Sequence, residues 1–358
     1  MKKIKLATFI LVIGCSILSF RTTPATASQA GSPDLQAVST QQVDNGVDIV
    51  TTLSNDGQTT TIATGITRTV LEESTDQDLI KMGIPPRPTD AKAYANWLSD
   101  YADVNVSAET HIPLVAEPSS LSAFQTHFMP ITEYLNWGGY GVGTPDIVNT
   151  AYVAVKANFT VPAVSPSCTN YPDYGVGAWV GLGGRNTYNG NDLVQQGIGW
   201  CSPGNVNKFV PWTEFAGTAA PTFFCNQSNW TLNTGDVIYN NMSFQSSTNT
   251  AYFYMEDQTT GVKHACSSNP PKGWSFNGNV GECIAEDPLP AYLSRYGQIP
   301  FSNCQVELGS NSTWYPIGNR STVTRIDTKT SDSLNYLQST GSLGSDNMSF
   351  VMTFIRSY

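Results

Sequence analysis

The stretch Met348-Ser349-Phe350-Val351-Met352-Thr353-Phe354-Ile355 puts Met348, Phe350, Met352 and Phe354 on one face at a period of two. That period belongs to a strand with one side on a core. Toward the N-terminus, short runs rich in Val, Tyr, Phe and Thr recur at 152–161, 177–182, 193–200, 209–216, 236–244, 251–255 and 305–308. Gly, Asn and Ser clusters separate them. Many short strands at this spacing predict an all-β domain, an antiparallel β-sandwich or barrel.

Residues 28–130 read differently. They start rich in Ser, Thr and Gln, hold no cysteine, and contain the clearest helical pattern of the chain at 90–101, where Tyr94, Trp97, Leu98 and Tyr101 share a face. A second short helix is predicted at 75–82, before the breaker Gly83-Ile84-Pro85-Pro86. This small, partly helical segment reads as a propeptide, with an accessory domain kept in the mature protein as the alternative; residues 131–358 form the main domain. Residues 1–27 read as an export signal: Lys2, Lys3 and Lys5, then an apolar run, then Ala25-Thr26-Ala27 for cleavage. The chain is therefore expected to be secreted, and Val12-Ile13-Gly14-Cys15 offers a lipoprotein anchor as a lesser alternative.

Composition narrows the partners. Residues 28–130 hold 13 acids and 4 bases, a net of −9, and residues 131–358 hold 15 and 10, a net of −5. Phosphate binding needs clustered Lys and Arg, so nucleic acid is not expected. With only 13% of residues charged, protonating the carboxylates creates little positive self-repulsion, which suits an acid medium. Six cysteines follow residue 130, namely Cys168, Cys201, Cys225, Cys266, Cys283 and Cys304, and their even number in an exported chain favours disulfides. Eight Asn-x-Ser/Thr sites run from Asn105 to Asn347; they are glycan acceptors only where the host glycosylates and otherwise mark surface loops.

Familiar chemistries are missing. The three histidines are His111, His127 and His264; the last is read as an exposed loop residue, and no Gly-x-Ser-x-Gly elbow is present for it to serve. HExxH and Asp-Thr/Ser-Gly are absent too, and no metal or cofactor is expected. Carboxylates, amides and aromatics remain. In order along the chain stand Asn136-Trp137-Gly138-Gly139-Tyr140, Phe159-Thr160-Val161-Pro162, Trp179-Val180-Gly181-Leu182-Gly183-Gly184, Leu193-Val194-Gln195-Gln196-Gly197, Trp212-Thr213-Glu214 and Gly281-Glu282-Cys283-Ile284-Ala285-Glu286-Asp287-Pro288. This ordered set resembles the glutamic peptidases, the eqolisin family, over residues 136–358.

The resemblance implies two stacked antiparallel sheets, a catalytic pair of Gln195 and Glu282, and a substrate cleft formed by Trp179, Asp192, Trp212, Glu214 and Glu286. It implies protein or peptide substrates and a monomer without a cofactor. Amide hydrolysis needs a base for water, an acid for the leaving nitrogen and a donor for the oxyanion. One carboxylate can be base and then acid, and a neutral amide donates at any pH, so Glu282 and Gln195 cover all three. Gln196 and Glu286 stand as rival members of the pair. Two departures from the family pattern concern the subsites: Cys283 stands where Trp is usual, and Gly199 where Asp is often found. Glu282 and Glu286 also suggest a jelly-roll glycosidase, and the aromatic cleft alone suggests a lectin-like binding module. On a regular strand, however, four residues span about 13 Å, too far for a retaining carboxyl pair.

Overall fold

The computed structural model describes residues 36–43, 46–54, 56–105, 136–143, 151–165, 174–184, 192–200, 208–216, 221–227, 229–287, 292–309, 313–320, 322–329 and 335–356. The export signal, Cys15, His111, His127, Cys168, Cys201 and the expected boundary near residue 130 lie outside them. The N-terminal part forms strands β1 (Gln36–Val43), β2 (Val47–Leu53) and β3 (Thr59–Thr64) and helices α1 (Arg68–Glu73), α2 (Asp76–Lys81) and α3 (Ala91–Tyr101). The main part follows as β4 (Trp137–Gly143), β5 (Tyr152–Thr160), β6 (Tyr174–Leu182), β7 (Val194–Trp200), β8 (Phe209–Phe215), β9 (Thr222–Phe223), β10 (Val237–Gln245), β11 (Thr250–Asp257), β12 (Val262–Asn269) and β13 (Val280–Glu286). It ends with β14 (Tyr292–Leu293), β15 (Gln298–Leu308), β16 (Thr313–Pro316), β17 (Val323–Ile326), β18 (Thr328–Lys329), β19 (Tyr336–Thr340) and β20 (Phe350–Phe354).

These strands make two sheets packed as a sandwich. One runs β1-β2-β3-β12-β11-β10-β5-β15-β20-β19-β18, with β16 beside β15; the other runs β17-β4-β13-β6-β7-β8-β9, with β14 beside β6. Apolar residues of both sheets meet in one core, among them Val155, Phe159, Val180, Ile198, Phe253 and Phe301. Phe350 and Met352 of β20 join it, as the period-two pattern predicts. That strand is shorter than 348–355 because Asp346 Oδ1 accepts from the backbone N–H groups of Met348 and Ser349, both at 3.0 Å, and folds the chain into a turn. The sheets meet closely at Gly281, where a Cβ would lie 2.5 Å from Val306 Cγ1, and at Gly138, where it would lie 2.5 Å from Met352 Cε.

Both predicted helices form, at 76–81 and 91–101. Asp90 caps α3 by accepting from Ala93 N at 2.8 Å, and Thr75 and Asp78 close a capping box on α2. The three strands before them were not anticipated. Their Thr-rich sequence reads as loop, yet Val47, Ile49, Ile62 and Ala63 supply enough buried apolar surface, and the edge of β12 supplies the template.

Two further expectations give way. His264 is not an exposed loop residue: it lies within β12, is 3% exposed and packs its ring 4.7 Å from that of Trp230. Asn105 is not on the surface either, being 3% exposed with its Nδ2 donating to two backbone carbonyls, an arrangement that leaves no room for a glycan. No helix among the described residues is long and apolar enough to cross a membrane.

Among the described residues one disulfide is formed, between Cys225 and Cys266, across 41 positions of sequence. Cys283 and Cys304 are free, buried, and hydrogen-bonded to each other from opposite sheets. By the chain-entropy account a loop of this size is worth about 4 kcal/mol. Replacing Cys225 and Cys266 by Ser should therefore cost about 2–5 kcal/mol in urea unfolding, and added reductant should lower the wild type by more than it lowers the variant.

Candidate active site

The outer face of the eight-stranded sheet carries the residues singled out above. Register brings them together: Gly181 of β6 pairs with Gln195 of β7 on one side and with Glu282 of β13 on the other. Glu214 of β8 pairs with Gln195, so Glu214, Gln195, Gly181 and Glu282 form one cross-strand row. Two strand spacings put the backbones of Gln195 and Glu282 about 10 Å apart, with no side chain at 181 between them. Both are buried, at 1% and 0% exposure.

Gln195 Nε2 donates to Glu214 Oε2 at 2.6 Å, while Gln195 Oε1 has no hydrogen-bond partner among the described residues. Gln196 points the opposite way, into the sandwich, where Nε2 donates to the backbone oxygen of Tyr254 at 2.8 Å. The alternation of β7 thus separates the two candidate glutamines. Glu282 and Cys283 divide in the same manner: the carboxyl lies on the site face and the thiol in the core.

The next row holds Trp212, Gly197, Trp179 and Ile284. A side chain at 197 would strike the backbone oxygen of Ala178 and lie 2.5 Å from Trp179 Cβ, so this glycine lets β6 and β7 approach closely. Gly181 makes room for the indole itself, since a Cβ there would lie 2.8 Å from the ring atom Cζ3. Trp179 Nε1 donates to Glu286 Oε2 at 2.7 Å, and its ring meets Trp137 edge-to-face at 5.0 Å. The other oxygen of Glu286 accepts from Asn136 Nδ2 at 2.8 Å and Trp137 Nε1 at 3.2 Å. Glu286 therefore spends its oxygens on anchoring two indoles. Between Glu282 and Glu286 the strand pairs without a bulge, so the two carboxyls do not form the close pair a retaining glycosidase needs. Asp192 lies apart from both rows, in the turn before β7, and accepts from Asn277 Nδ2.

Asn136 and Trp137 were read only as parts of a motif. Their task as partners of Glu286 depends on the pairing of β4 with β13, which a linear sequence does not display.

Burial shapes the protonation of this face. Desolvation lifts Glu286 to about 7, against the three hydrogen bonds that favour its ionised form. Glu214 is raised well above the ordinary carboxyl range by desolvation, opposed by the bond from Gln195, with the charge of Glu286 adding to the rise. Asp287 is raised by burial and by Glu286. His264 moves the other way, down to about 4, through burial.

A carboxyl that titrates near 7 folded and near 4.5 unfolded takes up its proton earlier in the folded state. Its stabilisation is complete below pH 4.5 and disappears as pH rises through 7, about 3 kcal/mol for this shift. Glu214 and Asp287 act in the same direction. His264 opposes them, its contribution being intact above pH 6.5 and lost as pH falls through 4. Urea unfolding from pH 4.5 to 7 should show stability falling, and Glu286→Gln should remove about 3 kcal/mol of that fall. An unchanged profile in the variant contradicts the assignment.

Comparison with known proteins bears on these rows. Residues 135–350 match the Peptidase A4 family. Among solved structures the chain is similar to scytalido-glutamic peptidase with a transition state analog inhibitor, at 19% identity and a TM-score of 0.48, over 62% of this chain and 98% of that one. It is also similar to SCP-B, an eqolisin in complex with the tripeptide Ala-Ile-His, at 18% identity and a TM-score of 0.45, over 62% and 98%. Aspergilloglutamic peptidase from Aspergillus niger aligns at 22% identity and a TM-score of 0.41, over 51% and 100%. No curated protein matches. The family match spans more than half of the chain and coincides with the strands that build both rows, and the chain accordingly belongs to the Peptidase A4 family, the glutamic or eqolisin peptidases, and is a peptide hydrolase.

Proposed function

We propose that the chain is a secreted, acid-active endopeptidase in which Glu282 and Gln195 perform the hydrolysis. The observation that carries this reading is the shared row, in which the two side chains flank a glycine on adjacent strands and Glu214 holds the Gln195 amide. Glu282 takes a proton from water, whose oxygen adds to the scissile carbonyl carbon. Gln195 Nε2 keeps one hydrogen on Glu214 and turns the other to the developing oxyanion. Glu282 then returns its proton to the leaving nitrogen as the C–N bond breaks.

Acid operation is supported by the chemistry of the face. Neither partner is an imidazole, so low pH does not remove the base by charging a histidine. Protonated Glu214 and Glu286 relieve the desolvation cost of a face holding three carboxyls, while the base itself must stay ionised. Trp179 and Trp212 would form the cleft wall, Trp179 being fixed by Glu286. Protein or peptide substrates, a monomeric state and independence from metals and cofactors belong to the same reading.

Latency belongs to it as well. A peptide cannot reach a pair as enclosed as Gln195 and Glu282, so the full-length chain in this form is closed and must open before it works. It fits a chain that is activated by a cut after residues 28–130, the segment read as a propeptide.

The exported chain, shifted to pH of about 3.5 where unpaired carboxyls are mostly protonated, should be cut between its leader and residues 131–358 and digest a denatured protein. Gln195→Ala should lower the rate by about 10²–10³-fold and Glu282→Gln by about 10²–10⁴-fold, both with retained cooperative unfolding. Digestion by folded Glu282→Gln at the wild-type rate would sink the dyad.

A further inference from the structure

Residues 36–105 are seated on the main sandwich by a seam that is partly backbone and partly one side chain. Strand β3 pairs with β12 over three positions only, Thr61, Thr60 and Thr59 against Ser267, Ser268 and Asn269. Beyond Thr61 the two strands part, and Asn105 fills the gap. Its Nδ2 donates to the backbone oxygens of Ala63 on β3, at 2.7 Å, and Ala265 on β12, at 2.9 Å. Its Oδ1 accepts from Ala265 N at 3.1 Å and lies 3.2 Å from His264 Nδ1. Its own N–H donates to the backbone oxygen of Lys263 at 3.1 Å, and its φ of 57° is one that Asn tolerates well. A single amide thus replaces the missing rungs of the ladder.

A second apolar core lies against this seam. Tyr254 of β11 and Ala265 of β12 face away from the sandwich and pack with Val47, Leu71, Leu98 and Tyr101. The rings of Tyr101 and Tyr254 meet at 5.5 Å. Polar contacts rim it: Asn226 Nδ2 donates to Thr52 Oγ1 at 3.1 Å, and Lys263 Nζ to the backbone oxygen of Ser99 at 3.2 Å. Stripped of residues 36–105, β12 would become an edge strand with unpaired backbone groups beside an exposed apolar face. Neither the seam nor this core includes a member of the catalytic rows. One connection leads toward them from behind, since the backbone oxygen of Tyr254 holds Gln196, the neighbour of Gln195.

We propose that residues 36–105 are a permanent structural module of the enzyme, which stays docked on β12 as a separate chain when the polypeptide is cut after it. Maturation then means scission and retention, not loss of the module. Steadying Gln196 through Tyr254 gives the working enzyme a reason to keep it.

The test is made on the full chain carrying a site-specific protease sequence inserted between residues 110 and 130. After cutting, gel filtration without denaturant should show both fragments co-eluting at the mass of the uncut protein, and they should separate only in urea. Asn105→Ala leaves several buried backbone groups unpaired and should weaken the association of the cut fragments at least about tenfold. Separation of the wild-type fragments on the column overturns the proposal, whether or not the Asn105 variant folds. Association unaffected by Asn105→Ala overturns the role given to that residue. Co-elution does not depend on catalysis, so a failure here is distinct from a failure of the Gln195–Glu282 dyad.

Discussion

The register of β13 between β4 and β6 is the constraint on which the site depends. Side chains alternate along a strand, so a slip by one residue would send Glu282 into the core and turn Cys283 outward. Several local features hold the register. Gly281 lets β13 approach Val306 of the opposite sheet, and a larger residue would push the sheets apart. Cys283 and Cys304 occupy the matching space two residues on, as two small buried thiols in mutual contact. On the outer side Glu286 ties the end of the strand to indoles from β4 and β6. The Glu282 carboxyl is positioned by its neighbours on both faces.

The same arrangement explains why a buried acidic face is compatible with folding in acid. Glu214, Glu282 and Glu286 share one side of a sheet that excludes water, and each pays for that burial when ionised. Glu286 is compensated by three donors and Glu214 by one. Acid relieves the remaining repulsion. Among the described residues His264 is the buried histidine that acid works against, and it lies across the molecule next to Asn105.

Much of this was legible in the sequence, and the reason differs from part to part. Period-two runs marked the central strands because their two faces meet different surroundings, as in β20. Helix α3 showed its apolar stripe. The row joining Gln195 to Glu282 was reachable only through resemblance, since 87 positions separate them and nothing local encodes the pairing through Gly181. Strands β1 to β3 were missed because Thr-rich segments become strands when an edge is offered, and β12 offers it. His264 was misread for a related reason: the turn-like Thr259-Thr260-Gly261 lies just before it in sequence, while its burial comes from Trp230 and Asn105, distant along the chain.

The place of Asn105 also bears on how the protein can be produced. Oligosaccharide transfer acts on a sequon before the chain has folded, when Asn105 is as accessible as any other asparagine. A sugar on Nδ2 would occupy the atom that bridges Ala63 and Ala265, and the seam between β3 and β12 could not close. A secretory host with N-glycosylation would thus divide the product into folded and unfoldable populations according to occupancy at one site. Bacterial export, or removal of the acceptor by Ser107→Ala, keeps the population uniform.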